Sequence, residues 1–268
     1  MLKDITLGQY FPGQSMIHRL DPRTKLTMLV VYIVALFLAE GWVSYGLVFL
    51  FLAVVIRLST IPLKSILRGM KPLVMILIFT GVLNLFFTQE GEVLVKFWVL
   101  TVTSGGLSRA LMMMARILML ISGTFLLTYT TSPIALTDGL EALMNPLKKV
   151  GVPVHELSMM MCIALRFIPT LIEETDKIMS AQKARGADFE SGSLTDRAKA
   201  LIPILVPLFI SAFRRADELA TAMECRCYQG GEGRTKMKQL HYHREDFLSY
   251  CAGAVLLAVV IVLKTFAL

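Results

Sequence analysis

The chain has four cysteines, and they do not make a disulfide framework. Cys162 and Cys251 stand alone, while Cys225 and Cys227 are separated by a single residue. No secretory leader is expected either: the first 25 residues are mixed polar, and the apolar run after them is too long for a signal core. No segment is dense in Lys and Arg with interleaved aromatics, which excludes nucleic acid as an expected partner. A phosphate-binding loop needs G-x-x-x-x-G-K-[ST] so that backbone N–H groups cradle the phosphates. "GGEGRTK" at 230–236 has that composition without the spacing. The apolar runs carry neither paired carboxylates nor a nucleophile–base pair, so an enzyme inside the bilayer would lack reactive groups. Asn84, nearly their only polar residue, suits a hydrogen bond to a neighbouring helix. Cys225-x-Cys227 and His241-x-His243 depart from the C-x2–4-C spacing of structural zinc, so no metal is expected, and no cofactor. His18 and His155 read as ordinary polar contacts at helix ends. Strands of alternating period are absent, which leaves helices to do any membrane crossing.

What the chain does have is oil. Of its 268 residues 55% are hydrophobic, and the mean hydropathy is +0.65. Several apolar runs approach the roughly 20 residues that cross a bilayer. The expected fold is therefore an all-α polytopic membrane protein of about five transmembrane helices. The first run, "LTMLVVYIVALFLA", starts at Leu26 behind Asp21-Pro22, which reads as an N-cap with Pro at the first helical position. Glu40-Gly41 breaks it, and Trp42 to Ile56 returns. Further runs cover Leu73 to Thr88, about Leu107 to Tyr129, and Phe247 to Leu263. Arg109 and Arg116 interrupt the fourth; they either snorkel or face other helices.

The formal charge of +7 marks the inner face. Arg19, Arg23 and Lys25, then Arg57, Lys64, Arg68 and Lys71, place the lead-in and second loop in the cytoplasm. Glu40, Glu90 and Glu92 place the first and third loops outside. Residues 1–130 thus form the lead-in and four spans, 131–246 a cytoplasmic helical module, and 247–268 the last span, with the N-terminus inside and the C-terminus outside. Within 131–246 the apolar stretches are short: "LSMMMCIALRFIPTLI" runs into Glu173-Glu174, and "LIPILVPLFISAF" lies between Lys199 and Arg214-Arg215. Both suit helices lying in or under the inner interface. Phe189 to Thr195 and "YQGGEGRTK" read as loops. Met159, Met160 and Met161 fit either packing or an adaptable docking surface, since Met repacks easily.

The module contains a repeat. Shifted by 41 residues, "FIPTLIEETDKIMSAQKARG" (167–186) overlays "LFISAFRRADELATAMECRC" (208–227). Asp176 meets Asp217, Ser180 meets Thr221, and Arg185 meets Arg226. Each copy runs from an apolar start through a charged middle to small–Arg–small: Ala184-Arg185-Gly186 and Cys225-Arg226-Cys227. A cation suits the C-terminal end of a helix. Gly186 can adopt the left-handed cap, and small flanks let a partner approach the backbone. Each tip then offers one fork-shaped donor for carboxylates or carbonyls.

With "RLDPRTKL" near its start and two such tips, the chain resembles the transmembrane T component of the energy-coupling-factor transporters (EcfT/CbiQ-like) over nearly its whole length. Asp21, Pro22 and Arg23 match that family's opening motif and read as structural, capping the first span at the inner surface. The cysteines at 225 and 227 are a mild departure from the small residues of the family's tips. The resemblance implies a non-catalytic subunit of a bacterial plasma membrane. It would hold two cytoplasmic ABC-type ATPases through Arg185 and Arg226, and a small substrate-binding membrane subunit that reorients to release a vitamin or metal ion. A scaffold docking other partners, or a conventional permease with its own polar path, are the competing readings. Anionic lipid headgroups are the simpler partners for the two arginines, but lipid binding calls for clustered charges rather than one per helix.

The charge pattern makes a direct prediction. A membrane-impermeant thiol reagent applied to intact cells should leave Cys225 and Cys227 unlabelled until the membrane is opened; ready labelling from outside overturns the topology.

Overall fold

The computed structural model describes residues 10–87, 93–97, 100–189, 191, 193–231, 237 and 239–266. Glu90, Glu92 and the 232–236 part of the glycine-rich loop lie outside the described residues. In chain order the elements are α1 (Met16–Arg19), α2 (Pro22–Leu38), α3 (Trp42–Ser59), α4 (Leu63–Met70), α5 (Val74–Phe87), β1 (Val93–Phe97), β2 (Leu100–Thr103), α6 (Ser104–Thr130), α7 (Pro133–Met144), α8 (Val154–Ala184), α9 (Leu194–Glu224) and α10 (Arg244–Thr265), with short 3-10 turns at Lys71–Leu73 and Asn145–Val150. They fold as two compact units. One holds the described residues between 10 and 142 with those of 240–266; the other holds those between 143 and 239.

The protein is an all-α polytopic membrane protein with one small exception. β1 and β2 pair antiparallel between α5 and α6, with Phe97 opposite Leu100. The sequence reading, which found no strands, passes over this hairpin because four or five residues are too short for alternation to stand out. Five described helices are long and apolar enough to span a bilayer: α3, the α4–α5 segment Leu63–Phe87, α6, α8 and α10. The number agrees with the expectation but the membership differs. α8 is longer than its punctuation suggests because the helix continues through Pro169. α2 has 17 residues, about 26 Å of helix, at the short end of what a bilayer needs.

α2 nevertheless runs through the core of its unit. Tyr32, Ala35 and Leu36 pack with Tyr45, Val48 and Leu52 of α3, Met119 of α6, and Leu256 and Val260 of α10. The Tyr32 hydroxyl donates to the Met119 carbonyl at 3.0 Å, so the one polar atom of this buried ring is satisfied. α6 approaches closely because residue 123 is Gly; a Cβ there would sit 2.6 Å from the Tyr32 ring. Gly41, at φ +89°, makes the tight turn from α2 to α3. Arg116 faces other helices: it donates to the Ala39 carbonyl at 3.4 Å and lies 5.6 Å from the Phe37 and Tyr45 ring centroids. Lys264 of α10 pairs with Glu40 beside the α2–α3 turn at 2.6 Å.

At the other end of the unit, two helix N-termini share one carboxylate. Asp246, 1% exposed, accepts the Asp21 N–H at 2.9 Å and the His243 N–H at 2.7 Å. Asp21 caps α2 by accepting the Arg23 N–H at 2.9 Å, with Pro22 in the first turn where no N–H is needed. The Arg23 guanidinium holds both Asp21 oxygens at 3.1 Å, donates to the Leu240 carbonyl at 2.8 Å and stands 4.4 Å from the Tyr242 ring centroid. Lys25 donates to the His18 and Thr130 carbonyls at 3.1 and 2.9 Å. His18 sits between the Ser15 hydroxyl and the Phe11 carbonyl, and burial holds its imidazole below the ordinary value.

Asp246→Ala removes two charge-assisted bonds and the compensation for Lys25. Removing one partner of such a buried network costs about 3–5 kcal/mol. The full chain in detergent should unfold at a clearly lower temperature, with Asp246→Asn in between; an unchanged midpoint for Asp246→Ala contradicts the assignment.

Candidate functional site

Each arginine tip is set by backbone hydrogen bonding at a helix end. At α8 the Gly186 N–H donates to the Lys183 carbonyl and the Ala187 N–H to the Gln182 carbonyl, both at 3.0 Å. This is a Schellman cap, with Gly186 left-handed at φ +89°. At α9 the Cys227 N–H donates to the Glu224 carbonyl at 2.8 Å and the Tyr228 N–H to the Met223 carbonyl at 3.1 Å, with Cys227 at φ 57°. Every participant in the second cap lies 41 residues after its counterpart in the first. The two caps are the same motif, and Arg185 and Arg226 occupy the same place in it, immediately before the left-handed residue.

The correspondence extends up both helices. The Ser180 hydroxyl donates to the Asp176 carbonyl at 2.7 Å, and the Thr221 hydroxyl to the Asp217 carbonyl at 2.9 Å. Sequence similarity alone leaves open whether the repeat is merely two amphipathic helices aligning passably. Identical local hydrogen bonds at matched positions make it structural.

The helices meet at another matched pair. Arg215 donates to Glu174 at 2.9 Å, and the Ser211 hydroxyl donates to the same carboxylate. Residues 174 and 215 are themselves 41 apart. A pair formed between equivalent positions of two copies lies on their pseudo-two-fold axis. Nearer the first tip, Gln182 donates to the Pro203 carbonyl at 3.5 Å. Pro207 has no N–H, so that carbonyl loses its partner within α9. Gln182 follows Glu174 while Pro203 precedes Ser211, so α8 and α9 pass in opposite senses. Arg185 lies eleven residues beyond Glu174, and Arg226 eleven beyond Arg215. Each tip therefore stands about 16 Å of helix past the meeting point.

Arg185 and Arg226 are exposed, as are Ala184, Gly186, Cys225 and Cys227. Among the described residues neither guanidinium has an ion-pair or side-chain hydrogen-bond partner. Met160 and Met161 are 57% and 46% exposed and Met159 half-buried. They sit near the start of α8, about 36 Å of helix from Arg185, so the structure does not bring them to the tips. α9 carries a longer apolar face than the sequence reading singled out: Ile202, Leu205, Val206, Phe209, Ile210 and Phe213 are each more than half exposed. Its signal was the i, i+3, i+4, i+7 spacing within "LIPILVPLFISAF". Asp21, Pro22 and Arg23 belong to the other unit, in the Asp246 network. Among the described residues no three His, Cys, Asp or Glu side chains converge as a metal site.

A family model described as cobalt transport protein (CbiQ) matches residues 13–237. The chain is 55% identical over 255 residues to the energy-coupling factor transporter transmembrane protein EcfT of Thermosediminibacter oceani, covering 95% of this chain and 96% of that one. To the protein of the same name from Bacillus subtilis it is 48% identical over 264 residues, covering 98% and 100%. To that of Listeria innocua it is 47% identical over 256 residues, covering 96% and 97%.

The two caps differ in strain. A non-glycine residue in the left-handed region costs about 1–2 kcal/mol, and an added Cβ at Gly186 would meet nothing within 4 Å. Cys227→Gly should therefore steady the α9 cap by about 0.5–1 kcal/mol once glycine's extra entropy is subtracted. Gly186→Ala should loosen the α8 cap by a similar amount. Amide exchange at 182–187 and 223–228 measures both; a Cys227→Gly variant that exchanges faster refutes the argument.

Proposed function

The chain belongs to the cobalt transport protein (CbiQ) family of energy-coupling-factor transmembrane proteins, and from that premise we propose that it is the subunit coupling ATP hydrolysis on partner ATPases to movement of a substrate-binding membrane subunit. Arg185 and Arg226 are the docking groups, one for each of two cytoplasmic ABC-type ATPases. The observation that carries this reading is the pair of caps with the same hydrogen-bond pattern, at equal reach from the Glu174–Arg215 meeting point. One chain thereby presents two equivalent cationic prongs, which suits two copies, or two close relatives, of one partner. Ala184, Gly186, Cys225 and Cys227 keep the surface beside each guanidinium low, so an acceptor can reach the fork bidentately. In this reading α2 rather than α8 is the fifth span, and the unit of residues 143–239 lies on the cytoplasmic side, with the N-terminus inside and the C-terminus outside.

The exposed methionines of α8 and the apolar face of α9 are the surfaces on which a small membrane subunit would ride. ATP-driven movement of the tips would be carried along two stiff helices to those surfaces and reorient that subunit, releasing a vitamin or metal ion inside the cell. The chain contributes no nucleotide chemistry itself.

Each charge-assisted hydrogen bond contributes about 1.5–3 kcal/mol. Arg185→Glu or Arg226→Glu should therefore weaken ATPase association by about ten- to a hundredfold, without loss of membrane insertion. Co-purification with the ATPases and ATP-driven uptake in vesicles are the measurements. Wild-type uptake by the double variant ends this reading, and failure of any ATPase to co-purify with the unaltered chain favours a scaffold with other partners.

A further inference from the structure

We propose that the unit containing α1–α7 and α10 holds one phospholipid with a singly charged anionic head, part of one of its two acyl chains in a cleft between α1, α2, α3, α6 and α10 and its phosphate at Arg19 and Arg244. The cleft has a volume of about 230 Å³ and an almost wholly apolar wall, including Ile17, Leu29, Phe51, Val54, Leu58 and Leu248. It opens to the surroundings: Val54, Leu58 and Leu248 are 49%, 46% and 61% exposed. An aliphatic chain is the ligand such a wall accepts, because nothing along it satisfies polar groups.

One end of the cleft is different. Lys25 and Thr130 line it there, and a second cavity lies alongside, its wall made by the ionisable side chains Arg19, His243, Arg244 and Glu245. The two cavities share helices. On α1, Arg19 lies between Ile17 and Leu20, both cleft residues. On α10, Arg244 and Leu248 are one turn apart on the same face, as are Glu245 and Ser249, so about 6 Å along the helix separates the polar wall from the apolar one. Apolar body and cationic mouth are thus in line, at the end of the bundle where the helices leave the hydrocarbon.

The mouth also specifies the head. Two guanidiniums, each with a fork of donors, match a phosphate diester. The Glu245 carboxylate in the same cavity repels a second negative charge and accepts hydrogen bonds from hydroxyls. A phosphatidylglycerol head, with one negative charge and a hydroxylated tail, meets both conditions. A phosphatidylcholine head would set its quaternary ammonium against two arginines.

The experiment uses the full chain reconstituted in nanodiscs of equal dioleoyl phosphatidylglycerol and dioleoyl phosphatidylcholine, extracted into mild detergent and weighed intact by native mass spectrometry. The expected result is one retained phosphatidylglycerol, preferred over phosphatidylcholine by about tenfold or more. R19Q/R244Q should abolish the preference. A252F, which places a ring in the cleft at a wall residue, should abolish retention of either lipid while the circular dichroism stays helical. Equal retention of both lipids by the unaltered chain, an undiminished preference in R19Q/R244Q, or undiminished retention in A252F each overturn the proposal.

Discussion

The contact of Glu174 with Arg215 and Ser211 fixes the register of α8 against α9, and the placement of both arginine tips follows from it. By energy alone the contact is modest. The Glu174 and Arg215 side chains are 23% and 38% exposed, and partly solvated ion pairs contribute little net stability. Its importance is geometric. A slip of one helix along the other by one turn would change the spacing between the two tips along the pair by about 5.4 Å. A pair between equivalent positions lies on the pseudo-two-fold axis and so marks the centre from which both eleven-residue arms are measured, whereas an off-axis contact has a counterpart that need not form. The Gln182 bond to the Pro203 carbonyl is such an off-axis contact, and it uses an acceptor that exists only because Pro207 interrupts the α9 ladder.

The other unit is organised by the opposite kind of electrostatics. Asp246 is almost fully buried, and its desolvation is offset by two backbone N–H groups and by nearby Lys25. Two helix N-termini that would otherwise present like partial charges to each other are neutralised by one carboxylate between them. Arg23 extends the network to the Leu240 carbonyl, where the chain rejoins this unit, and to the Tyr242 ring. The network therefore holds the first long helix and the last one at a common level, however long the segment inserted between them. Loss of this buried group costs stability, whereas loss of the Glu174–Arg215 pair costs register.

How far the sequence discloses these features depends on how local each is. The Asp21-Pro22 cap is a dipeptide signal and reads directly. So do the apolar helices, within a few residues at their ends. The 41-residue repeat is legible at the arginines, and it carries one further line: Glu173-Glu174 in the first copy aligns with Arg214-Arg215 in the second. Opposite charges at equivalent positions of a duplicated helix are the signature of self-complementary pairing, visible before any coordinates. Asp246 was illegible because its partner Asp21 lies 225 residues away, and "HRED" lacks the Ser or Thr of an ordinary capping box. The β1–β2 hairpin and the continuity of α8 through Pro169 escaped for a shared reason. Short strands and proline-bearing helices are decided by tertiary surroundings more than by their own residues.

The cysteines at the second tip acquire a meaning that size alone does not give. Both flanks of Arg185 and of Arg226 are small, but the position after each arginine must also be left-handed, and only one of the two is glycine. At 227 a side chain is carried in a conformation that disfavours it, and such strain persists only where the surroundings over-determine the backbone. Here the surroundings are the cap hydrogen bonds themselves, at 2.8 and 3.1 Å, since the residue is exposed and no packing constrains it. The two prongs thus share a geometry without sharing its cost. The α8 tip rests in its shape, whereas the α9 tip is held there and carries a thiol on the surface that glycine leaves bare. A partner meeting both prongs with identical sockets would find the same fork of donors and two unlike shoulders, so any inequality between the two arms originates beside the arginines rather than in them.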